Sequence, residues 1–143
     1  MKKKILIVLA NYYKTIASGL IKSALKSIPK TNKVKIIEVP GTFEIPVVIS
    51  NNINKYDAFL ALGCVIKGQT PHFDFISQAS INAIMDLSIT SKKPIGNGII
   101  TCLNMSQAKD RKIKGSEAAK AVISILSLKW ELTLTQRIIQ EWL

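Results

Sequence analysis

Acidic side chains are scarce in this chain: nine Asp and Glu stand against twenty Lys and Arg over 143 residues, giving a formal charge of +11. A phospho-acceptor receiver needs carboxylates clustered at strand ends; none follows the first or third apolar strand, so that class is excluded. Histidine occurs once, at His72, and the two cysteines, Cys64 and Cys102, fit neither a CxxC nor any Cys/His spacing. That leaves too few ligands for a zinc module, so no metal is expected, and both thiols read as small buried hydrophobes of a reducing cytoplasm. Aromatics make up only 6% of the chain and do not interleave with basic residues, so a surface for stacking single-stranded nucleic acid is missing. Long apolar runs are missing too, because nothing approaches the roughly 18 residues of a membrane span. Lys2-Lys3-Lys4 precede an apolar run of only six residues, Ile5 to Ala10. A secretory core needs roughly 7–15, and the run reads as a buried first strand. The phosphate loops GxGxxG and GxxxxGK[ST] are absent, and with them the usual dinucleotide and nucleoside triphosphate cofactors. Asn11-Tyr12-Tyr13-Lys14 also lacks the Ser/Thr/Gly character of a flavin phosphate loop.

What is present is a chain with 48% hydrophobic residues and mean hydropathy +0.23. It is long enough to bury a core and of a size for one domain, residues 1–143. So high an apolar fraction in so basic a chain points to surfaces covered by partner subunits. The cations read as scattered, apart from Lys2–Lys4 and a loose group of Lys109, Arg111, Lys112 and Lys114. A solvated basic surface follows from that reading, with neither nucleic acid nor membrane as partner.

Apolar runs alternate with helical spacings. Residues 4–10 form a continuous apolar strand. Ile16, Ala17, Leu20, Ile21, Ala24, Leu25 and Ile28 recur at helical spacing until Pro29. A strand over 34–39 stops at Pro40-Gly41, and a helix is expected over roughly 43–54. A third strand covers 57–63. A helix from about Pro71 to Thr90 carries Ile76, Ala79, Ala83 and Leu87 along one face. A fourth strand covers 95–102, and the remainder reads as helical. This alternation implies a three-layer α/β/α sandwich with a mainly parallel four-stranded sheet and right-handed crossovers, a flavodoxin-like fold. Between Ser116 and Leu132 apolar positions cover more than one stripe, which implies a helix buried on several sides, one of them by a neighbouring subunit.

In such sheets ligands bind beyond the carboxyl ends of the strands, where segments 11–15, 40–46, 64–72 and 102–111 should converge. Thr70 suits a helix N-cap and Pro71 a first helical residue, so amides from Gly68 to His72 would point outward as an anion site. His72 on that first turn is either structural or chemical. Glu44 either complements a helix dipole or accepts hydrogen bonds from sugar hydroxyls, and Thr42 could cap the same helix. Tyr12-Tyr13 offers either packing or a face for a planar ring. Asn104 begins a short helix that delivers Arg111 and Lys114, which are either solvated cations or a phosphate grip.

The blocks Val39-Pro40-Gly41-Thr42-Phe43-Glu44-Ile45-Pro46 and Gly63-Cys64-Val65-Ile66-Lys67-Gly68 with His72-Phe73-Asp74 resemble the lumazine synthase family. Pro94 to Ile99 and Gln107 to Arg111 add to the resemblance, which covers essentially the whole length. It implies a cofactor-free condensation of a ribitylaminopyrimidine with a four-carbon sugar phosphate, at sites shared between subunits of a homopentamer or a multiple of pentamers. On that resemblance Tyr12 stacks on the pyrimidine, and Thr42, Phe43 and Glu44 hold the ribityl chain. Backbone at Cys64, Val65 and Ile66 meets the pyrimidine edge. Gln69 and Thr70 meet the phosphate, and His72 moves protons. Arg111 of the next subunit clamps the phosphate, with Lys114 beside it. Asn97 stands where many members carry an aromatic over the pyrimidine. Tyr13 replaces a small polar residue, and the stretch from Arg111 to Lys114 is shorter than usual.

Overall fold

The computed structural model describes residues 2–128, 138–139 and 141–143. Its elements follow in the order β1 (Lys4–Ala10), α1 (Lys14–Lys26), β2 (Lys33–Val39), a 3-10 turn (Thr42–Glu44), α2 (Ile45–Asn51), β3 (Ala58–Ile66), α3 (His72–Ser91), β4 (Ile95–Cys102), α4 (Met105–Asp110) and α5 (Lys114–Leu126). The four strands form one sheet in the order β2-β1-β3-β4, every pair parallel.

A central parallel strand is covered on both faces, so every residue of it must be apolar. In β1, Ile5, Ile7 and Leu9 enter one core with Leu60 and Leu62 of β3, beneath Ile16 and Leu20 of α1 and Ala119 and Val122 of α5. Leu6, Val8 and Ala10 enter the other with Phe59 and Ala61, beneath Ile45 and Ile49 of α2 and Ile84 of α3. The same alternation leaves β2 half covered: Val34 and Ile36 are exposed while Val39 is buried. Among the described residues no helix is long and apolar enough to cross a membrane.

Helices α1 and α5 cross with almost no space between their backbones. A Cβ on Gly115 would run into the Leu20 carbonyl oxygen and stand 2.5 Å from Ser23 Oγ. Ser23 Oγ donates to the Lys112 carbonyl at 2.8 Å and accepts from the Ser116 amide at 3.1 Å, and Ser27 Oγ lies 2.6 Å from Ser116 Oγ. This seam satisfies hydrogen-bonding groups that the crossing would otherwise strand away from water.

Several sequence expectations are corrected here. The helix expected over 43–54 is one 3-10 turn followed by α2, which ends at Asn51. Gly41, not Thr42, takes the N-cap position of the turn, and Thr42 is buried. The third strand runs on to Ile66, because Cys64, Val65 and Ile66 pair with Ile100, Thr101 and Cys102. Pro71 occupies the N-cap of α3, and Thr70 does not cap it; Thr70 Oγ1 only accepts from the His72 amide at a long 3.4 Å.

The buried stripe of α3 is Ser77, Ser80 and Ile84 rather than Ile76, Ala79 and Ala83. The serines are small enough to let the helix approach the 3-10 turn, where Ser80 Oγ donates to the Thr42 carbonyl at 3.3 Å. Small polar side chains buried by such a long-range approach escape a search for apolar periodicity.

The apolar surface expected on the last helix is also redistributed. In α5, Ala118, Ala119 and Val122 are buried, and Ile123 and Leu126 pack on the same core. The helix is consumed largely by α1 and the sheet of its own chain. The remainder of the expected stretch, from residue 129 to 132, lies outside the described residues. Ile125 of α5 and Leu128 just after it remain exposed, and further large exposed apolar side chains lie on α2 and α3, at Val47, Phe75, Met85 and Ile89.

Candidate active site

A hollow of about 410 Å³ opens at the carboxyl ends of β1 and β3, lined by Tyr12, Tyr13, Gly41–Glu44, Cys64–Ile66, His72 and Ile76. Each wall follows from local geometry. Beyond β1, the Asn11 amide donates to the Val39 carbonyl at 3.0 Å, which ties the chain to β2 before it turns. Tyr13 then packs against the core while Tyr12 is 74% exposed. Their rings meet edge to face, with centroids 4.9 Å apart and planes at 83°. This arrangement braces the Tyr12 ring and leaves area for a planar ligand. Burial first, then the neighbouring Cys64 and Tyr12, raises the pKa of the Tyr13 phenol.

The 3-10 turn has about three residues per turn, so its side chains fan out in three directions. Thr42 points inward, with Cγ2 only 2.7 Å from where a Cβ on Gly63 would stand. Phe43 points out and is 60% exposed. Glu44 curls back over the turn, its Oε2 3.2 Å from where a Cβ on Gly41 would stand. A carboxylate and a hydrophobic ring thus share one mouth.

From β3 come the half-buried Cys64, Val65 and Ile66. Burial, reinforced by Cys102 beside it, pushes the Cys64 thiol up to about 12. At neutral pH it stays protonated and is not a nucleophile. His72 opens α3, where the helix dipole favours an anion, and reaches the hollow from an exposed position. Its amide faces Thr70 Oγ1, and the Asp74 amide donates to the Pro71 carbonyl at 3.1 Å.

Arg111, Lys114 and Asn97 do not enter this hollow. They line a second one, also about 410 Å³, with Ile81, Thr101, Asp110, Ile113 and Glu117. Asn104 Oδ1 caps α4 by accepting from the Gln107 amide at 2.9 Å, while Gln107 Oε1 accepts from the Leu103 amide at 2.8 Å. This reciprocal cap fixes α4, and Arg111 at its carboxyl end sends Nη1 to the Thr101 carbonyl at 3.3 Å. Lys114 Nζ pairs with Glu117 Oε2 at 3.3 Å. Asn97 Oδ1 accepts from the Ile99 amide at 3.1 Å.

Helix α3 separates the two hollows, for Ile76 lines the first and Ile81 the second. Three of the four expected segments therefore meet, and the fourth lies across the helix. Gln69 and Thr70 line neither hollow and sit on the exposed loop before α3. Sequence reasoning missed Ile76, although its spacing of four from His72 puts both on one helix face. It also missed Glu117, which the spacing of three from Lys114 could have indicated. Ile81 and Thr101 carry no local signal. A larger hollow, about 650 Å³, lies at the other end of β4 between Ile89, Ile95, Val122 and Ile125. Its walls are mostly apolar, with Lys92 and Lys93 among the lining residues and no carboxylate or histidine.

Comparison with known proteins agrees with the resemblance in the motifs. The profile of the family described as 6,7-dimethyl-8-ribityllumazine synthase matches residues 2–129. The protein of that name from Bartonella tribocorum is 41% identical over 140 residues, covering 90% of this chain and 93% of its own length. That from Agrobacterium fabrum is 40% identical over 144 residues, covering 92% and 97%. That from Cutibacterium acnes is 38% identical over 133 residues, covering 87% and 80%.

Proposed function

Since this chain belongs to the 6,7-dimethyl-8-ribityllumazine synthase family, an enzyme family of riboflavin biosynthesis, we propose that its catalytic centre is assembled from two subunits. The first hollow of one would face the second hollow of the next. The observation that carries this is the separation of the family-implied residues onto opposite flanks of α3. A contact joining one flank to the other is heterologous, and a heterologous contact that closes makes a ring. The exposed apolar residues Val47, Phe75, Met85 and Ile89 supply surface for such a contact. The assembly is a homopentamer or a multiple of pentamers, built from one domain per chain. Two free thiols suit the cytoplasm.

The substrates are 5-amino-6-(D-ribitylamino)uracil and 3,4-dihydroxy-2-butanone 4-phosphate. Tyr12 stacks on the pyrimidine, whose edge meets backbone at Cys64, Val65 and Ile66. Asn97 of the adjoining subunit lies over its other side. Thr42, Phe43 and Glu44 hold the ribityl chain, with the Glu44 carboxylate accepting from its hydroxyls. The phosphate lies between the α3 amino end with Gln69 and Thr70 and the adjoining Arg111, with Lys114 near it. The pyrimidine amine adds to the ketone and water leaves as the imine forms. Loss of a proton then expels phosphate, and the ribityl-bearing nitrogen closes the ring with loss of a second water. The protein mainly holds two reactants in register, while His72 relays protons.

Mixing the purified protein with both substrates should give the lumazine chromophore and one phosphate per turnover, with light scattering reporting a pentamer or larger. A fully active monomer at assay concentration would overturn the shared site. His72→Ala should lower turnover by up to about a hundredfold, the low end for acid–base groups, because water can enter in place of the imidazole. Turnover and melting temperature are read on one preparation. Full turnover with a lowered melting point would make His72 structural.

A further inference from the structure

We infer that the amino-terminal edge of the sheet carries a second anion site, which takes a chain of linked phosphates of the inorganic polyphosphate class. A hollow of about 430 Å³ there is lined by Lys2, Lys3, Lys4, Lys33, Lys55 and Lys93. Cations that look scattered in the sequence are gathered because each strand is preceded or begun by lysine: Lys2–Lys4 at β1, Lys33 at β2, Lys55 before β3 and Lys93 before β4.

The backbone around these lysines is tied down. The Lys3 amide donates to Asn32 Oδ1 at 3.0 Å, and the Lys33 amide to the Lys3 carbonyl at 2.8 Å. Lys93 Nζ is itself held by the Ile53 carbonyl at 2.6 Å. Lys4 and Lys33 stand directly opposite each other in the β1–β2 register, an arrangement in which like charges repel. Asp57 is the single carboxylate in the lining, and its Oδ2 accepts from the Lys4 amide at 2.8 Å. Among the described residues, none of these ammonium groups has a carboxylate oxygen within 4.0 Å; the ion pair found there is Lys114–Glu117, elsewhere in the chain. A polyanion would relieve that repulsion, and six cations exceed what a single phosphate balances.

The lining also selects among polyanions. It offers ammonium point charges and no guanidinium fork. Its one aromatic, Tyr56, is turned edge-on to Phe59, with centroids 6.0 Å apart, and packs against the core. A nucleic acid would find no free ring on which to stack its bases, whereas a bare phosphate chain needs none. The site lies at the opposite strand ends from His72 and uses none of the residues assigned to the reaction, so it stands independently of that assignment.

Fluorescently labelled inorganic polyphosphate is titrated into the assembled full-length protein, and anisotropy is followed at several salt concentrations. Affinity should fall steeply with salt, and reversing Lys33 and Lys55 to Glu should weaken binding by at least about tenfold and flatten the salt slope, as expected when phosphate contacts are removed. The milder Lys33→Gln/Lys55→Gln pair should fall between. Lumazine formation should persist in both, and Arg111→Ala should leave polyphosphate affinity unchanged. Loss of binding in Arg111→Ala with retention in the lysine variants would overturn the proposal and place the anion at the substrate site. Single-stranded RNA of equal phosphate number binding as tightly, or no binding at physiological salt, would also overturn it.

Discussion

Replacing Arg111 with Ala raises the apparent Michaelis constant for the sugar phosphate by roughly 10–150-fold, the equivalent of one charge-assisted hydrogen bond of about 1.5–3 kcal/mol. Among the described residues its guanidinium makes one hydrogen bond, at 3.3 Å to the Thr101 carbonyl, so it gives up little to meet an anion. Lys114 is already paired with Glu117 and does not substitute for it. Inorganic phosphate should compete with the sugar phosphate in the native enzyme and lose most of that effect in the variant. Arg111→Lys should recover part of the affinity, since an ammonium keeps the charge and loses the two-pronged grip. Steady-state kinetics in each substrate separately provides the check. An unchanged constant for the phosphate substrate would remove Arg111 from the site.

Gly115→Ala tests the scaffold, where two effects of opposite sign compete. Alanine is favoured over glycine by about 0.8–1 kcal/mol in a helix interior, and the gain is smaller at Gly115, the second residue of α5. Overpacking in a rigid interior costs about 1–3 kcal/mol, occasionally more, and here the obstacle is backbone. A Cβ would meet the Leu20 carbonyl oxygen and crowd Ser23 Oγ, so the helices must separate and the serine seam must open. We expect a net loss of about 2 kcal/mol, with melting lowered by several degrees. Gly68→Ala is the control, since a Cβ there meets nothing within 4 Å. Calorimetry on both variants decides, and a Gly115→Ala protein more stable than the native one would show that propensity prevails.

The strands were legible because burial on both faces makes Ile5 to Ala10 and Ala58 to Leu62 continuously apolar, a pattern written in consecutive residues. The β4 boundaries and the Asn104 cap were legible for the same reason, as each depends on neighbours a few residues away. The face of α3 was not. Ser77 and Ser80 are buried because the helix lies close to the 3-10 turn, and that approach is a long-range fact which polarity misreports.

The candidate site divides in the same way. The sequence by itself located the strand ends that gather at one hollow: Tyr12 and the Thr42–Glu44 turn come just after β1 and β2, Cys64 to Ile66 close β3, and His72 opens α3. Only the tertiary structure decided that Arg111, Lys114 and Asn97 lie across α3 from them, and that six lysines spread between residues 2 and 93 meet at the opposite edge. Periodicity and capping are short-range signals, set by the rise and twist of a few residues. Which junctions become neighbours depends on strand order and on the path of each helix over the sheet. Those are settled by packing between residues far apart in the chain.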